Sequence, residues 1–405
     1  MKEHKVTPID NSLDNFMIWV GTQIFFGKTA LEHLPEGVNR FGRRILMVYG
    51  GGSIKRNGVY DQVTSILKEN GNFVVELGGV QPNPRVSLIR KGIEVARENK
   101  VDMVLAVGGG SVIDSAKGIA CGYYYDGDVW ELAGKTVSTD KVLPVLTVLT
   151  IPATSSEMAT GSTWLNDTIV PHKKAGAHGP YMRPRVSYLN PEFTYTLPAK
   201  QTAAGVSDIM SHIIESYFSN EKRAYLQART AEGMLKTLIK YTPIALAEPD
   251  NYEARANIMY CGSWGNNGYI VKGNYVSWSV HGLENSINEA CDNTHGEGLA
   301  VLTPHWMRWA MRDENLYRYV DFAVNVFGVD PSLPEREIAE RGIQELEAFY
   351  EKIGMPKKLS ELGAKYEDIE KYAERFNLPG TMAYQDGAFI PIRFQDAVEI
   401  YKAAF

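Results

Sequence analysis

Cysteine is scarce: three residues in 405, at Cys121, Cys261 and Cys291, far apart and odd in number. That excludes a disulfide framework and leads to the expectation of a reducing compartment, the cytoplasm. No apolar run approaches the ~20 residues that cross a bilayer, and the start MKEHKVTPIDNSLDNF lacks the apolar stretch of a secretory signal, so no membrane role is expected. Positive charge is also short. Lys and Arg number 42 against 48 Asp and Glu, a net charge of −6 that repels phosphate backbones and argues against nucleic acid as a partner. Internal repeats, low-complexity segments and the G-x-G-x-x-G fingerprint are all missing.

What is present has two different grammars. In the first half, short apolar runs alternate with helical stretches. RILMVYG, NFVVELG, DMVLAVGGG and VLPVLTVLTIP read as buried strands, while VYDQVTSILKENG, RVSLIRKGIEVARENK and SVIDSAKGIACGYYY carry helical spacing. Strand and helix in alternation predict a parallel sheet with crossovers. From Gln201 onward helical periodicity dominates. The prolines of Asn190–Pro198 mark the change. The reading is an N-terminal extension over 1–14, an α/β domain over 15–195 and an all-helical domain over 196–405, with a ligand site expected in the cleft between the domains.

Two glycine turns follow strands: Gly50, Gly51, Gly52 with Ser53, and Gly108, Gly109, Gly110 with Ser111. The second leads into a helix. A glycine turn at a helix N-terminus lets backbone N–H groups approach a phosphate, with the positive end of the helix dipole behind them. Glycines also serve merely as tight connections, but two such turns at the carboxyl ends of strands of one sheet favour a ligand. The segment IPATSSEMATGSTW adds Thr150 and Thr154 to the same edge. The first turn bears on the kind of dinucleotide. It offers no carboxylate to a ribose hydroxyl, and Lys55 and Arg56 follow closely. A carboxylate about 4 Å from a 2′-phosphate would repel it by roughly 4 kcal/mol per unit charge at an effective dielectric of 20, so its absence permits NADP(H) as well as NAD(H).

The histidines supply the second constellation. Asp208 and His212 are four apart on one helix face, and His281 and His295 lie fourteen apart in VHGLENSINEACDNTHGEG. One carboxylate and three imidazoles suit one divalent ion, Fe²⁺ or Zn²⁺, with a position left for substrate. An Asp-x-x-x-His pair alone arises by chance on any helix. His4, His33, His172, His178 and His305 read as ordinary residues. A metal fits alcohol oxidation, because an imidazole is a poorly matched base for an alcohol proton. Lowering that pKa by roughly 7 to 9 units represents on the order of 10 kcal/mol of alkoxide stabilisation.

Taken together, GGGSVIDSAK, GVSDIMSHIIESY and HGLENSINEACDNTHGEG, in this order and spacing, resemble the iron-containing (group III) alcohol dehydrogenases from about Asn15 onward. YGGGSIKRNG, TIPATSSE and NPEFTYTLP are most similar to the butanol dehydrogenase branch and its NADPH-dependent aldehyde reductases. The resemblance implies a Rossmann-like dinucleotide domain, a helical metal domain and a small alcohol or aldehyde as substrate. It implies Asp208, His212, His281 and His295 as metal ligands, with Gly108–Ser111 on the pyrophosphate and Asp114 of the same motif in the cofactor site. Thr150, Thr154 and Lys174 (favoured over Lys173) would meet the phosphates or nicotinamide ribose, and Gly50–Ser53 the adenine ribose. A homodimer is expected on the same ground. One position departs: many relatives carry a proton-relaying histidine four residues after the third ligand, and here Asn285, which cannot titrate, stands there as the catalytic neighbour of His281.

Two rival functions predict different sequences. A sugar-phosphate cyclase of the dehydroquinate synthase type needs basic residues for a phosphorylated substrate. The segments around Asp208 and His281 instead carry Ile209, Met210, Tyr275 and Trp278. A non-catalytic dinucleotide scaffold would have lost ligands, and all four positions hold competent ones. A glycerol or diol dehydrogenase remains within the same superfamily.

Overall fold

The computed structural model describes residues 11–377, 383 and 388–405. Eight strands form in chain order: β1 (Gln23–Phe26), β2 (Arg44–Gly50), β3 (Phe73–Val80), β4 (Met103–Gly108), β5 (Val145–Leu149), β6 (Gly161–Asn166), β7 (Lys173–His178) and β8 (Val186–Leu189). Six make one sheet in the order β1-β8-β5-β4-β2-β3, parallel throughout, and β6 and β7 pair as an antiparallel hairpin. Every residue of β4 and β5 is buried, which is why these strands read as continuous apolar runs rather than alternations.

The pleat sends alternate residues to opposite faces. Leu46, Val48, Val104 and Ala106 pack with Ile89, Ile113 and Ile119 of the helices Val86–Glu98 and Gly110–Gly122. Ile45, Met47, Met103 and Leu105 pack with Leu34, Val38, Val63 and Leu67 on the other side. The helix Val59–Glu69 contributes Val59, Val63 and Leu67, four residues apart and so on one face. It stops where Gly71 takes φ +74 and the N–H of Asn72 reaches back to Leu67 O at 3.0 Å. Because β3 lies on one side of β2 and β4 on the other, the winding reverses between β2 and β4. A crevice at their carboxyl ends is where such sheets take ligands.

After β8 a short turn, Pro191–Thr194, leads to the helix Ala199–Tyr217, and no further strand occurs among the described residues. That helix is buried from Thr202 to Tyr217, a central rod whose polar residues, Asp208, His212 and Glu215 among them, are buried with its apolar ones. The helices Tyr225–Ala247, Tyr252–Gly265, Ser279–Cys291, His295–Ala310, Glu335–Lys352 and Phe394–Ala403 enclose it in one core. No helix among the described residues is long and apolar enough to cross a membrane.

Two features depart from the sequence reading. The hairpin β6–β7 was hidden in a Ser/Thr-rich stretch and a lysine pair. Its Gly176 reads as a turn residue but sits in the strand because a Cβ there would lie 1.7 Å from Ser162 O. The extension expected over 1–14 is not wholly free. Asn11 Nδ2 donates to Val271 O and Asn274 O at 3.3 and 2.9 Å, and Ser12 bridges to Gly273. Asp14 adds a second tie, accepting from Arg223 Nη1 and Nη2 at 3.0 and 2.9 Å, and no periodicity announces either. Residues 1–10, including His4, lie outside the described residues.

Candidate functional site

The two glycine turns and the Thr150 segment meet at the carboxyl ends of the adjacent strands β2, β4 and β5. Thr150 N donates to Gly108 O at 3.1 Å, and a Cβ on Gly109 would meet Ile151 at 3.0 Å. A Cβ on Gly110 would lie 2.5 Å from Thr154 Oγ1, so the turn must lack side chains for the threonine loop to close on it. The helix Gly110–Gly122 begins at Gly109 with no side-chain cap, leaving its first N–H groups to a ligand. At β2 the chain turns at Gly52, φ +108, into the one-turn helix Ser53–Arg56. Gly51 has nothing within 4 Å of where a Cβ would stand.

Asp114 takes a bracing position. Its carboxylate accepts from Ser156 Oγ at 2.5 Å and Thr163 N at 2.8 Å, tying the helix to the loop that follows β5. Beside it, the buried Lys117 donates to Ser156 Oγ, Ala159 O and Gly161 O at 2.8–2.9 Å. Burial pushes this ammonium down to about 8 against the pull of Asp114 and Glu157.

In the helical half, ligand atoms of Asp208, His281 and His295 lie within 4.8 Å of one another. Asp208 is 3 % exposed, and its Oδ1 stands 3.4 Å from His212 Nδ1, 3.8 Å from His281 Nε2 and 3.9 Å from His295 Nε2. His212 stands beside the other three, its ring centroid 4.6 Å from that of His281. Asp208 Oδ1, His212 Nδ1 and His281 Nε2 are buried without a hydrogen-bond partner. Buried polar atoms are nearly always satisfied, so these three unpartnered atoms, converging from two helices, fit a cation held between them. Burial alone would raise the Asp208 carboxyl, but the three imidazoles pull it below the usual carboxylate range. Burial lowers His212 to about 3, whereas at His281 Glu215 and Asp208 outweigh burial and push it up to about 9. His305 packs near Arg308 and Glu347, and His33 stacks on Phe25 at 4.3 Å, both outside the cluster.

Two residues of this site were not singled out in the sequence. Glu215 accepts from His281 Nδ1 and, at 2.6 Å, from Val280 N, and Glu284 accepts from His295 Nδ1. A carboxylate behind a ligating histidine fixes its tautomer and aims Nε2 at the metal. The signal was available: Glu215 lies two turns after Asp208, and Glu284 one turn after His281, on the ligand faces of their helices. Glu284 also faces Lys174 Nζ at 3.8 Å. That buried lysine donates to Asn288 Oδ1 at 3.0 Å and is lowered by burial against the pull of Glu284. Lys173, by contrast, is exposed. Lys174 therefore belongs to the sheet half by chain and to the ligand helices by contact. Asn285, half-buried, forms no hydrogen bond among the described residues. Trp278 holds a left-handed conformation, φ 50, just before the His281 helix, with its ring edge-on to His212 and His281 at 5.7 and 5.3 Å.

Comparison with known proteins agrees with this geometry. Residues 21–191 match the iron-containing alcohol dehydrogenase family and residues 202–405 the C-terminal domain of the Fe-containing alcohol dehydrogenase family. The chain is 44% identical over 388 residues to NADH-dependent butanol dehydrogenase A of Clostridium acetobutylicum, covering 95% of this chain and 98% of that protein. It is 34% identical to the NADPH-dependent aldehyde reductase YqhD of Escherichia coli, covering 97% and 100%. The crystal structure of NADH-dependent butanol dehydrogenase A from Thermotoga maritima superposes with a TM-score of 0.91 at 37% identity, covering 96% of this chain and 98% of that one. A parallel sheet with glycine turns at its switch point, a carboxylate–imidazole cluster in the helical half and matches along both halves place this chain in the iron-containing alcohol dehydrogenase family.

Proposed function

We infer that this alcohol/aldehyde oxidoreductase moves a hydride between NADP(H), with NAD(H) as the lesser cofactor, and a small primary alcohol or aldehyde such as butanol or butanal. The observation that carries the reading is the set of unpartnered, buried acceptors on Asp208, His212 and His281. Asp208, His212, His281 and His295 would hold Fe²⁺ or Zn²⁺, Gly108–Ser111 the pyrophosphate, Gly50–Ser53 the adenine ribose, and Thr150, Thr154 and Lys174 the nicotinamide side. Bound there, the ion supplies Lewis-acid stabilisation of the reacting oxygen and the nicotinamide supplies or accepts the hydride.

The chain's own residues set the geometry. Glu215 and Glu284 lock the imidazoles of His281 and His295 in the tautomer whose Nε2 is free. Trp278 shields the His212 and His281 rings with apolar surface, which suits an unsubstituted alkyl substrate over a polyol. Asp114 and Lys117 hold the threonine loop against the Gly108 turn. Asn285 cannot exchange a proton, so the proton leaves through water or a cofactor hydroxyl, with Asn285 orienting that carrier.

The cofactor preference rests on the first turn. It has no carboxylate, and nearby Glu76 is engaged by the hydroxyls of Tyr49 and Tyr60 at 2.8 and 2.7 Å. Lys55 stands over those same rings, 5.0 and 4.5 Å from their centroids, within reach of a phosphate that replaces this contact. Relatives at 39–44% identity are named NADH-dependent and the relative at 34% NADPH-dependent, so the two names pull apart and the turn is the argument. A cytoplasmic homodimer with domains over 15–195 and 196–405 completes the reading.

Butanal reduction by purified protein, with NADPH and NADH compared before and after chelation and with Fe²⁺ or Zn²⁺ restored, tests it. The expected result is metal-dependent oxidation favouring NADPH. Turnover unaffected by thorough chelation would remove the metal, and equal use of both cofactors would remove the preference.

A further inference from the structure

The loop after β3 runs Gln81-Pro82-Asn83-Pro84-Arg85, with the buried Asn83 in a left-handed conformation, φ 55, between two prolines. It reaches across to the helical half. Asn83 Nδ2 donates to Asp292 Oδ1 at 2.8 Å and Arg85 Nη2 to Asp292 Oδ2 at 2.7 Å. Both oxygens of one carboxylate are thus taken by the sheet half. The loop is fastened to the hairpin, because Leu165 N donates to Pro84 O at 2.8 Å and Arg85 bridges Leu165. The hairpin in turn carries Lys174, whose Nζ donates to Asn288 and whose N donates to Glu289 Oε1 at 2.5 Å. Loop and hairpin therefore grip the end of the helix Ser279–Cys291 at two points.

The gripped end leads straight to a ligand. Asp292 is the left-handed cap of that helix, φ 49, and the next residue is woven into the metal site. Asn293 O accepts from Asn288 Nδ2 at 2.7 Å, and Asn293 Nδ2 donates to Glu284 Oε1 at 3.2 Å. The other oxygen of Glu284 accepts from His295 Nδ1. Only two residues, Asn293 and Thr294, separate Asp292 from His295, about 10 Å of extended chain at most. A displacement of Asp292 relative to the loop is therefore passed to His295 with little slack.

We propose that Asp292 is a positioning residue, held by Asn83 and Arg85, that sets the His295–Glu284 pair at a fixed distance from the dinucleotide half. The proposal rests on the metal-dependent hydride-transfer reading above. Its side chain is 57% exposed, and an ion pair in that setting contributes little to stability, so its value lies in geometry. An error of about 1 Å in the approach of two reacting centres can cost 10²-fold in rate.

The test uses the metal-loaded enzyme and its D292A, D292N, R85A and R85A/D292A variants. In D292A, kcat is expected to fall about tenfold with KM for NADPH within about twofold, and the primary isotope effect from 4-deuterated NADPH on kcat to rise as hydride transfer becomes limiting. D292N keeps one acceptor oxygen and recovers most of the rate, and R85A/D292A is no slower than D292A. Amide exchange over 82–89 and 288–297 quickens in D292A. Unchanged kcat and isotope effect in D292A, with only a lower melting temperature, overturn the proposal, and so do losses that add in the double variant. Should D292A not fold, D292N and R85A carry the same isotope measurement. A parent enzyme inert with aldehydes would sink the hydride-transfer reading instead, and exchange over 82–89 and 288–297 would still decide the grip, unchanged rates overturning it.

Discussion

The carboxyl edge of the sheet and the helical cluster are two candidate ligand sites built on opposite principles. At the sheet edge the groups offered are backbone N–H groups, and the side chains have been removed: Gly108, Gly109 and Gly110 sit where a Cβ would meet Val112, Ile151 or Thr154 at 3.0 Å or less. In the cluster the backbone is ordinary helix and side chains make the site, through a buried carboxylate and imidazoles with unused lone pairs. The first site tolerates emptiness, because its N–H groups face open crevice. The second does not, because its acceptors crowd one another in a buried space. A backbone site is tuned by what is absent, and a side-chain site by what stands behind each ligand.

The sharpest way to separate the two is to remove one ligand. His281→Ala is expected to cut turnover at least about 1,000-fold while dinucleotide affinity stays within a few-fold, because the open metal position and the glycine turn are different structures. Near-normal turnover would sink the metal assignment. Glu215→Gln keeps the size and removes the charge behind His281. Metal affinity, read by chelator competition, should fall about 10–100-fold with cofactor binding untouched. Gly50→Asp addresses the other site. A Cβ there meets Val80 O at 3.5 Å and Val112 Cγ2 at 4.0 Å, ordinary contacts that the fold accepts, and NADPH affinity should fall about tenfold more than NADH, the bare Coulomb figure being reduced by solvent. Equal losses for both cofactors would end the 2′-phosphate argument. The smallest effect is expected from Gly110→Ala. The Thr154 side chain, 2.5 Å from the added Cβ, can turn partly aside, so dinucleotide affinity should fall about threefold and metal content stay constant.

The same contrast explains what could be read from the sequence. Glycines and histidines are rare enough in such patterns to stand out, so both turns, the four ligand candidates and the α/β-then-helical order were visible. Glu215 and Glu284 carry a fainter signal, their helical spacing from Asp208 and His281, because glutamate is common on helices and burial is what shows that these two face inward. The hairpin β6–β7 was missed because its stabilising contacts are tertiary: Trp164 and Ala177 bury in the core beneath the neighbouring helices, while Lys173–His178 has little strand propensity of its own. Asp114, expected at the cofactor, also braces the threonine loop through Ser156 and Thr163, a contact that spacing alone could not reveal.

Asp208 and His212 on one helix, His281 on a second and His295 at the start of a third would make a bound ion a crosslink of the helical half. A ligand that binds only the folded chain stabilises it by RT ln(1 + [L]/Kd), about 2.7 kcal/mol at a hundredfold excess over Kd. An ion held there would therefore add to the stability of the folded chain as well as supply chemistry, and its removal by a chelator is expected to lower the melting temperature.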